Sequence, residues 1–286
     1  MPKITIGMTS FNSEKTIRRS IESLLCQTWK DFALTISDDA STDSTGLICS
    51  EMAARDSRIR YVRQEHNLGP LANFTYTLKQ ARGEYFMWAS HDDLWHPQFI
   101  EKCISKLEEN TDAGFAISHW IVESARLPFV VRRNIANMDF VSGYDPVERM
   151  LAFTSLPLLS FKDNLTYGVW RRKALVRIID DLNGRIKYFS IGSVGNEYSV
   201  LLYRGVVVPE VYLRKRYKWI PPGHGLKKVT GLLYRLRIAK QQQPVYPKYS
   251  HADHFVDLRT VLEIAGIDES IIERAINLNK LHHFEK

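Results

Sequence analysis

The chain has 286 residues, 44% of them hydrophobic and 25% charged, which excludes a disordered chain and supplies enough apolar side chains for one large α/β domain, alone or with appendages. The net charge of +7 is uneven, because residues 211–252 carry ten Lys or Arg and no Asp or Glu, leaving the remainder slightly acidic. Three cysteines, Cys26, Cys49 and Cys103, lack Cys-x-x-Cys spacing, so neither a disulfide framework nor a zinc knuckle is indicated and a reducing cytosol fits best.

Met1-Pro2-Lys3-Ile4 opens into a strand rather than a signal peptide, and no apolar run nears the roughly 18 residues of a membrane span, so a soluble cytoplasmic protein is expected. Residues 3–9 read as a strand. Residues 13–27 read as a helix with Ile17, Ile21, Leu24 and Leu25 on one face. A strand at 32–37, a helix at 42–55, a short strand at 59–63 and a helix at 69–82 follow, the last stopped by Gly83. Then come a strand at 84–89, a helix at 97–109 and a strand at 114–123. This alternation predicts a parallel sheet with helices on both faces and ligands at the strand C-terminal ends.

Two acid pairs fall at such ends, Asp38-Asp39 and Asp92-Asp93. Alone, either reads as a solvated turn with a helix cap. Together they suggest a divalent cation site for a nucleotide diphosphate, since Mg²⁺ and Mn²⁺ take carboxylates plus substrate phosphates. Asp43, with Thr42, is expected to cap the following helix. The first strand ends in Gly7-Met8-Thr9-Ser10-Phe11-Asn12, not the Gly-x-Gly-x-x-Gly turn of a dehydrogenase, and no Walker loop occurs.

Five segments in order carry a family resemblance: Ile6-Gly7-Met8-Thr9-Ser10-Phe11-Asn12, Ser37-Asp38-Asp39-Ala40-Ser41-Thr42-Asp43, Asn67-Leu68-Gly69-Pro70-Leu71-Ala72-Asn73, Arg82-Gly83-Glu84-Tyr85 and His91-Asp92-Asp93. The chain resembles the inverting family 2 glycosyltransferases of GT-A fold, strongly over residues 3–125 and more weakly over 165–213, with the spore-coat polysaccharide type as the nearest kind. The resemblance implies a GT-A catalytic domain at 1–213, split into a nucleotide-sugar half (1–125) and an acceptor-side half (126–213), then a basic loop and helical extension at 214–286.

The resemblance also implies roles. Thr9 and Phe11 would line the base pocket, and Asp39 would accept the ring N–H of uracil or thymine. Asp92 and Asp93 would divide ribose and Mn²⁺ or Mg²⁺ between them in an undecided order, Asp93 being preferred for the metal. The family's leading acid is Ser90 here. His91 reads as a turn residue or an outer partner of the site. His224 is the further candidate for the metal sphere, against an ordinary surface histidine. Glu197 falls at the catalytic base, where the family commonly has Asp preceded by another acid; here Asn196 precedes it. The rival for Glu197 is an acid favoured by the helix dipole.

Arg216-Tyr217-Lys218-Trp219 differs from the Gln-x-x-Arg-Trp of processive synthases, so single-sugar transfer is expected. Residues 226–240 form a basic amphipathic segment that could lie on a lipid-bearing membrane's inner face or pack on the catalytic domain. Ser270-Ile271-Ile272-Glu273 reads as a capping box for a last helix that packs on the core or on another subunit. The expected partners are a UDP-sugar (or dTDP-sugar) donor and a glycan or lipid-linked acceptor of bacterial surface glycan assembly, with no nucleic acid. The rivals are a catalytically silent nucleotide-sugar binder and a peripheral membrane scaffold.

Overall fold

The computed structural model describes residues 1–124, 131–132, 138–156, 162–186, 194–217 and 251–283. Strands β1 (Ile4–Ser10), β2 (Phe32–Asp38), β3 (Ile59–Arg63) and β4 (Tyr85–Ser90) alternate with helices α1 (Ile17–Leu25), α2 (Thr45–Arg55) and α3 (Pro70–Lys79). The two-residue β5 (Leu94–Trp95), α4 (Phe99–Glu109), β6 (Ala113–Ser124) and β7 (Val131–Arg132) follow. The second half holds α5 (Pro146–Ser155), a 3-10 helix (Lys162–Tyr167), β8 (Val169–Arg171), α6 (Arg172–Leu182), α7 (Val194–Leu202), β9 (Arg204–Tyr217), α8 (His251–Ile264) and α9 (Glu269–His283).

The sheet order is β3-β2-β1-β4-β8-β6-β9-β5, with β7 paired to β6. Pairing is parallel from β3 to β4 and between β6 and β9. It is antiparallel at β8, β5 and β7. The sheet is thus the mostly parallel one, flanked by helices, that the alternation and the GT-A resemblance lead one to expect, with short antiparallel strands inserted. β8 and β5 are too short to leave a two-residue period in the sequence, so nothing local announced them.

Close packing explains the glycine of β1. A Cβ on Gly7 would lie 2.6 Å from Thr77 Oγ1 and 2.8 Å from Phe86 Cζ, so its absence lets α3 settle on the strand. Trp88 of β4 then donates from Nε1 to Phe74 O and Thr77 Oγ1, each at 3.1 Å, so the indole N–H is buried without penalty. Gly83, with φ of 104°, makes the turn into β4; α3 itself ends earlier, at Lys79.

One apolar cluster runs from Ile4 and Ile6 through Trp88, Phe115 and Trp170 to Leu258, Val261, Ile272 and Ile276. The C-terminal helices thus share the core of the sheet, and the boundary expected at residue 213 falls inside β9. At the start of α9 the cap is Asp268, which accepts from Ser270 N at 2.9 Å; Ser270 lies inside the helix instead of capping it. The basic segment 226–240 and His224 lie outside the described residues, and among those described no helix is long and apolar enough to cross a membrane.

Candidate functional site

Strand register assembles the site. β1 pairs with β2 and with β4, so that Thr9 faces both Ser37 and Ser90, and Ser10 faces Asp38. The C-terminal ends of three parallel strands share one edge, and the strand order reverses between β1 and β4, where open α/β sheets take ligands. Thr9 is part-buried there, and Phe11 is 47% exposed on the turn that follows. Asn12, at a φ of 48°, shapes that turn: its Oδ1 accepts from Thr42 N at 2.8 Å and its backbone N–H donates to Ser41 Oγ at 2.9 Å. Asn is among the few residues that visit this left-handed conformation, and here its side chain is held there by Thr42, thirty positions on.

The adjacent acids after β2 do different work. Asp38 is fully buried; its Oδ1 accepts from Ser41 N at 2.9 Å and its Oδ2 from the Tyr61 hydroxyl at 2.8 Å. Burial, and then this carboxylate, push the Tyr61 phenol above its usual range. Asp39 accepts from Leu68 N at 2.7 Å and from Gly69 N at 3.0 Å, fastening the turn that leads into α3. A carboxylate offers about four lone-pair sites, so these two bonds leave it acceptor capacity. Asp43 accepts from Thr45 N at 2.9 Å and from Glu14 N at 3.2 Å, a helix-start role for α2.

The acids after β4 also separate. The Ser90 hydroxyl, where the resemblance expects an acid, donates to Asp92 Oδ1, and Asp92 is part-exposed. Asp93 is buried. Its Oδ2 is ion-paired with Nζ of Lys215, 5% exposed on β9, and that ammonium lies 3.9 Å from the centroid of the Tyr167 ring. Ser20 Oγ donates to Asp93 O at 2.8 Å, and the next residue, Leu94, pairs with Arg214, so the acid turn is fastened to α1 and to β9. His91 Nδ1 lies 3.4 Å from Thr16 Oγ1, a long contact that suits a turn residue.

Among the described residues no group of three or more His, Cys, Asp or Glu could hold a metal unaided. Asp92 does fit a hard cation that takes its other oxygens from water and a bound diphosphate, the usual manner of Mg²⁺. The carboxylate of Asp93, on which sequence reasoning leaned for the metal, is turned toward Lys215.

Glu197 lies in the first turn of α7 and is 1% exposed; its Oε1 accepts from Asn279 Nδ2 of α9 at 2.8 Å. Beside it Asn196 donates from Nδ2 to Thr166 Oγ1 at 3.2 Å. The far end of α7 is capped by buried Arg149, donating from Nε to Val200 O at 2.9 Å and from Nη2 to Leu201 O at 3.2 Å. Thr166 and Tyr167 are neighbours, so one short helix touches both α7 and the Lys215 that holds the acid turn.

The family model of glycosyl transferase family 2 matches residues 5–168. The chain belongs to glycosyl transferase family 2. It is 37% identical over 110 residues to the putative glycosyltransferase EpsE of Bacillus subtilis (strain 168), a stretch covering 38% of this chain and 40% of EpsE. It is 30% identical over 117 residues to the GalNAc(5)-diNAcBac-PP-undecaprenol beta-1,3-glucosyltransferase of Campylobacter jejuni, covering 41% of this chain and 37% of that protein. The matched stretches thus span well under half of these curated relatives. Among solved structures, S. aureus TarS 1-349 in complex with UDP-GlcNAc superposes with a TM-score of 0.64 at 17% identity, over 97% of this chain and 71% of TarS. Mannosyltransferase PcManGT from Pyrobaculum calidifontis in complex with GDP-Man and Mn²⁺ gives a TM-score of 0.53 at 14% identity, over 97% of this chain and 87% of the other. These likenesses establish the GT-A fold of the family.

Two residues at this family 2 site escaped sequence reasoning. Lys215 was one charge in a basic block, yet the two-residue period of a strand sets it on the same side as buried Leu213, opposite exposed Arg214. Asn279 completes a helical row with Ile272, Ala275 and Ile276, a polar residue on an apolar face.

Proposed function

We propose that this protein is an inverting, metal-dependent glycosyltransferase that moves one sugar from a UDP-sugar (or dTDP-sugar) to an acceptor hydroxyl on a glycan or lipid-linked saccharide, in bacterial surface glycan assembly. The observation that carries this reading is the strand register that gathers Thr9, Asp39 and Asp92 at one sheet edge in a family 2 chain. TarS with UDP-GlcNAc and the undecaprenol-linked substrate in the Campylobacter relative's name support the choice of donor and acceptor.

Thr9 and Phe11 receive the base, Phe11 by stacking, and Asp39 accepts the N–H of the pyrimidine. Asp92 would hold a Mn²⁺ or Mg²⁺ ion, which when bound would supply positive charge against the departing diphosphate. Glu197 takes the proton of the acceptor hydroxyl as its oxygen bonds to the anomeric carbon and the bond to the diphosphate breaks, releasing UDP. One displacement inverts the anomeric centre. A single carboxylate suffices for the cation because the donor brings phosphate oxygens of its own.

The test is a panel of nucleotide sugars read by thermal stabilisation in Mn²⁺ and in EDTA, because a ligand at 100 times its Kd adds about 2.7 kcal/mol to native stability. Asp92→Ala should abolish the extra stabilisation that Mn²⁺ gives to UDP and leave the EDTA value unchanged. Asp39→Ala should weaken uridine binding in EDTA as much as in Mn²⁺. Equal UDP binding with and without metal in the wild type removes the cation's role; a loss in Asp39→Ala seen only with Mn²⁺ reverses the two assignments. A second reading, a binder that holds donor without transferring it, draws on the burial of Glu197. Product formation decides between them.

A further inference from the structure

Asn279 is a polar residue where its helix wants an apolar one. It is 0% exposed, on the inward row of α9 with Ile272, Ala275 and Ile276 at 1%, 0% and 6%. Burying an amide costs free energy unless its hydrogen bonds are recovered, and here only half the amide is used. Nδ2 donates to Glu197 Oε1 at 2.8 Å, while Oδ1 is buried and accepts no hydrogen bond. Leucine has the same branched skeleton of four side-chain heavy atoms and carries no amide to desolvate. The feature that Asn adds over Leu is one N–H aimed at the Glu197 carboxylate.

We propose that Asn279 is a positioning residue for transfer: the C-terminal helix reaches back across 82 residues of chain to fix the rotation of the Glu197 carboxylate. This rests on the reading of Glu197 as the base. An isolated Glu side chain turns freely about its last torsion, whose profile is broad. The amide holds one oxygen and so sets the direction of the other. Arg149 holds the far end of the same helix by its carbonyls, and Asn196 holds the near end through Thr166. Asn279 acts on the carboxylate itself. Residues 251–283 thereby become part of the acceptor side of the site rather than an appendage to it.

The experiment is a double-mutant cycle on the full chain. The donor is whichever UDP-sugar most stabilises the wild type in Mn²⁺, the acceptor is water, and the readout is UDP release. Asn279→Leu should lower kcat about tenfold, within the loss of up to roughly 10² that small misplacement of a reacting group brings. KM for the donor and stabilisation by UDP should not change. In a Glu197→Gln background, Asn279→Leu should lower kcat no further, since its effect passes through that carboxylate. Multiplicative losses in the double variant mean a merely structural role and overturn the proposal. A normal kcat in Asn279→Leu overturns it while leaving Glu197 as the base. A normal kcat in Glu197→Gln removes the base assignment and the proposal with it. If Asn279→Leu does not fold, as read by melting with UDP, Asn279→Ala takes its place in the cycle with the same expected outcomes.

Discussion

Glu197→Gln should cut transfer by roughly 10²–10⁴-fold, the range a positioned general base contributes. The substitution keeps the length of the side chain and an oxygen able to accept the Asn279 N–H. It removes the ability to take a proton at neutral pH. Donor affinity should persist, because the contacts proposed for the nucleotide lie at the ends of β1, β2 and β4, not on α7. Two measurements decide it: turnover with donor saturating, and the anomeric configuration of the wild-type product. Near-normal turnover in the variant would sink the base, and a retained anomeric centre would sink the single displacement.

Lys215→Met should lower unfolding free energy by about 3–5 kcal/mol, the usual loss when one partner of a buried ion pair is removed. The side chains of Lys215 and Asp93 are only 7% and 1% exposed, so the carboxylate that has lost its ammonium stays in a poorly solvated place. Replacing both partners, as in Lys215→Met with Asp93→Leu, should recover most of that loss, because the pair's desolvation then disappears along with its attraction. Urea denaturation of the three proteins makes the comparison. A loss under about 1 kcal/mol in Lys215→Met would put the pair in the class of exposed salt bridges and contradict its burial.

The first half of the fold was legible because its signals are local. β3 spans the residues that the pattern predicts, β1, β4 and β6 differ by a residue at each end, and β2 by one residue at its C-terminal end. Helix starts were less legible. α1 begins at Ile17 rather than Ser13, since residues 14–16 are turns, Thr16 N donating to Ser13 O at 3.0 Å, before the helix sets in. The antiparallel insertions β8 and β5 were not legible, because two or three residues cannot display a period.

The site divides the same way. That Asp38-Asp39 and Asp92-Asp93 sit at strand ends could be read directly, whereas the cap expected at Asp43 with Thr42 falls at Ser44, Asp43 accepting from Thr45 N one position earlier. Which acid of each pair is committed to the protein could not. For Asp38 the answer comes from Tyr61, 23 positions away, and for Asp93 from Lys215, 122 positions away. Adjacent identical residues are told apart only by what the rest of the chain brings to them.

β9 gives this distance a consequence for how the molecule is made. It lies between β6 and β5, and among the described residues β5 has no other strand beside it. The five segments that carry the resemblance in the first half have been synthesised by residue 93, yet the turn bearing Asp92 waits for its ion pair until a strand made more than a hundred residues later, β9 (Arg204–Tyr217). A nascent chain, or a fragment cut before β9, carries those five segments and the Ser20 contact to the acid turn, but lacks the Lys215 ion pair and the β9 partner of β5. Synthesis through β9 is therefore itself a condition for a finished acid turn.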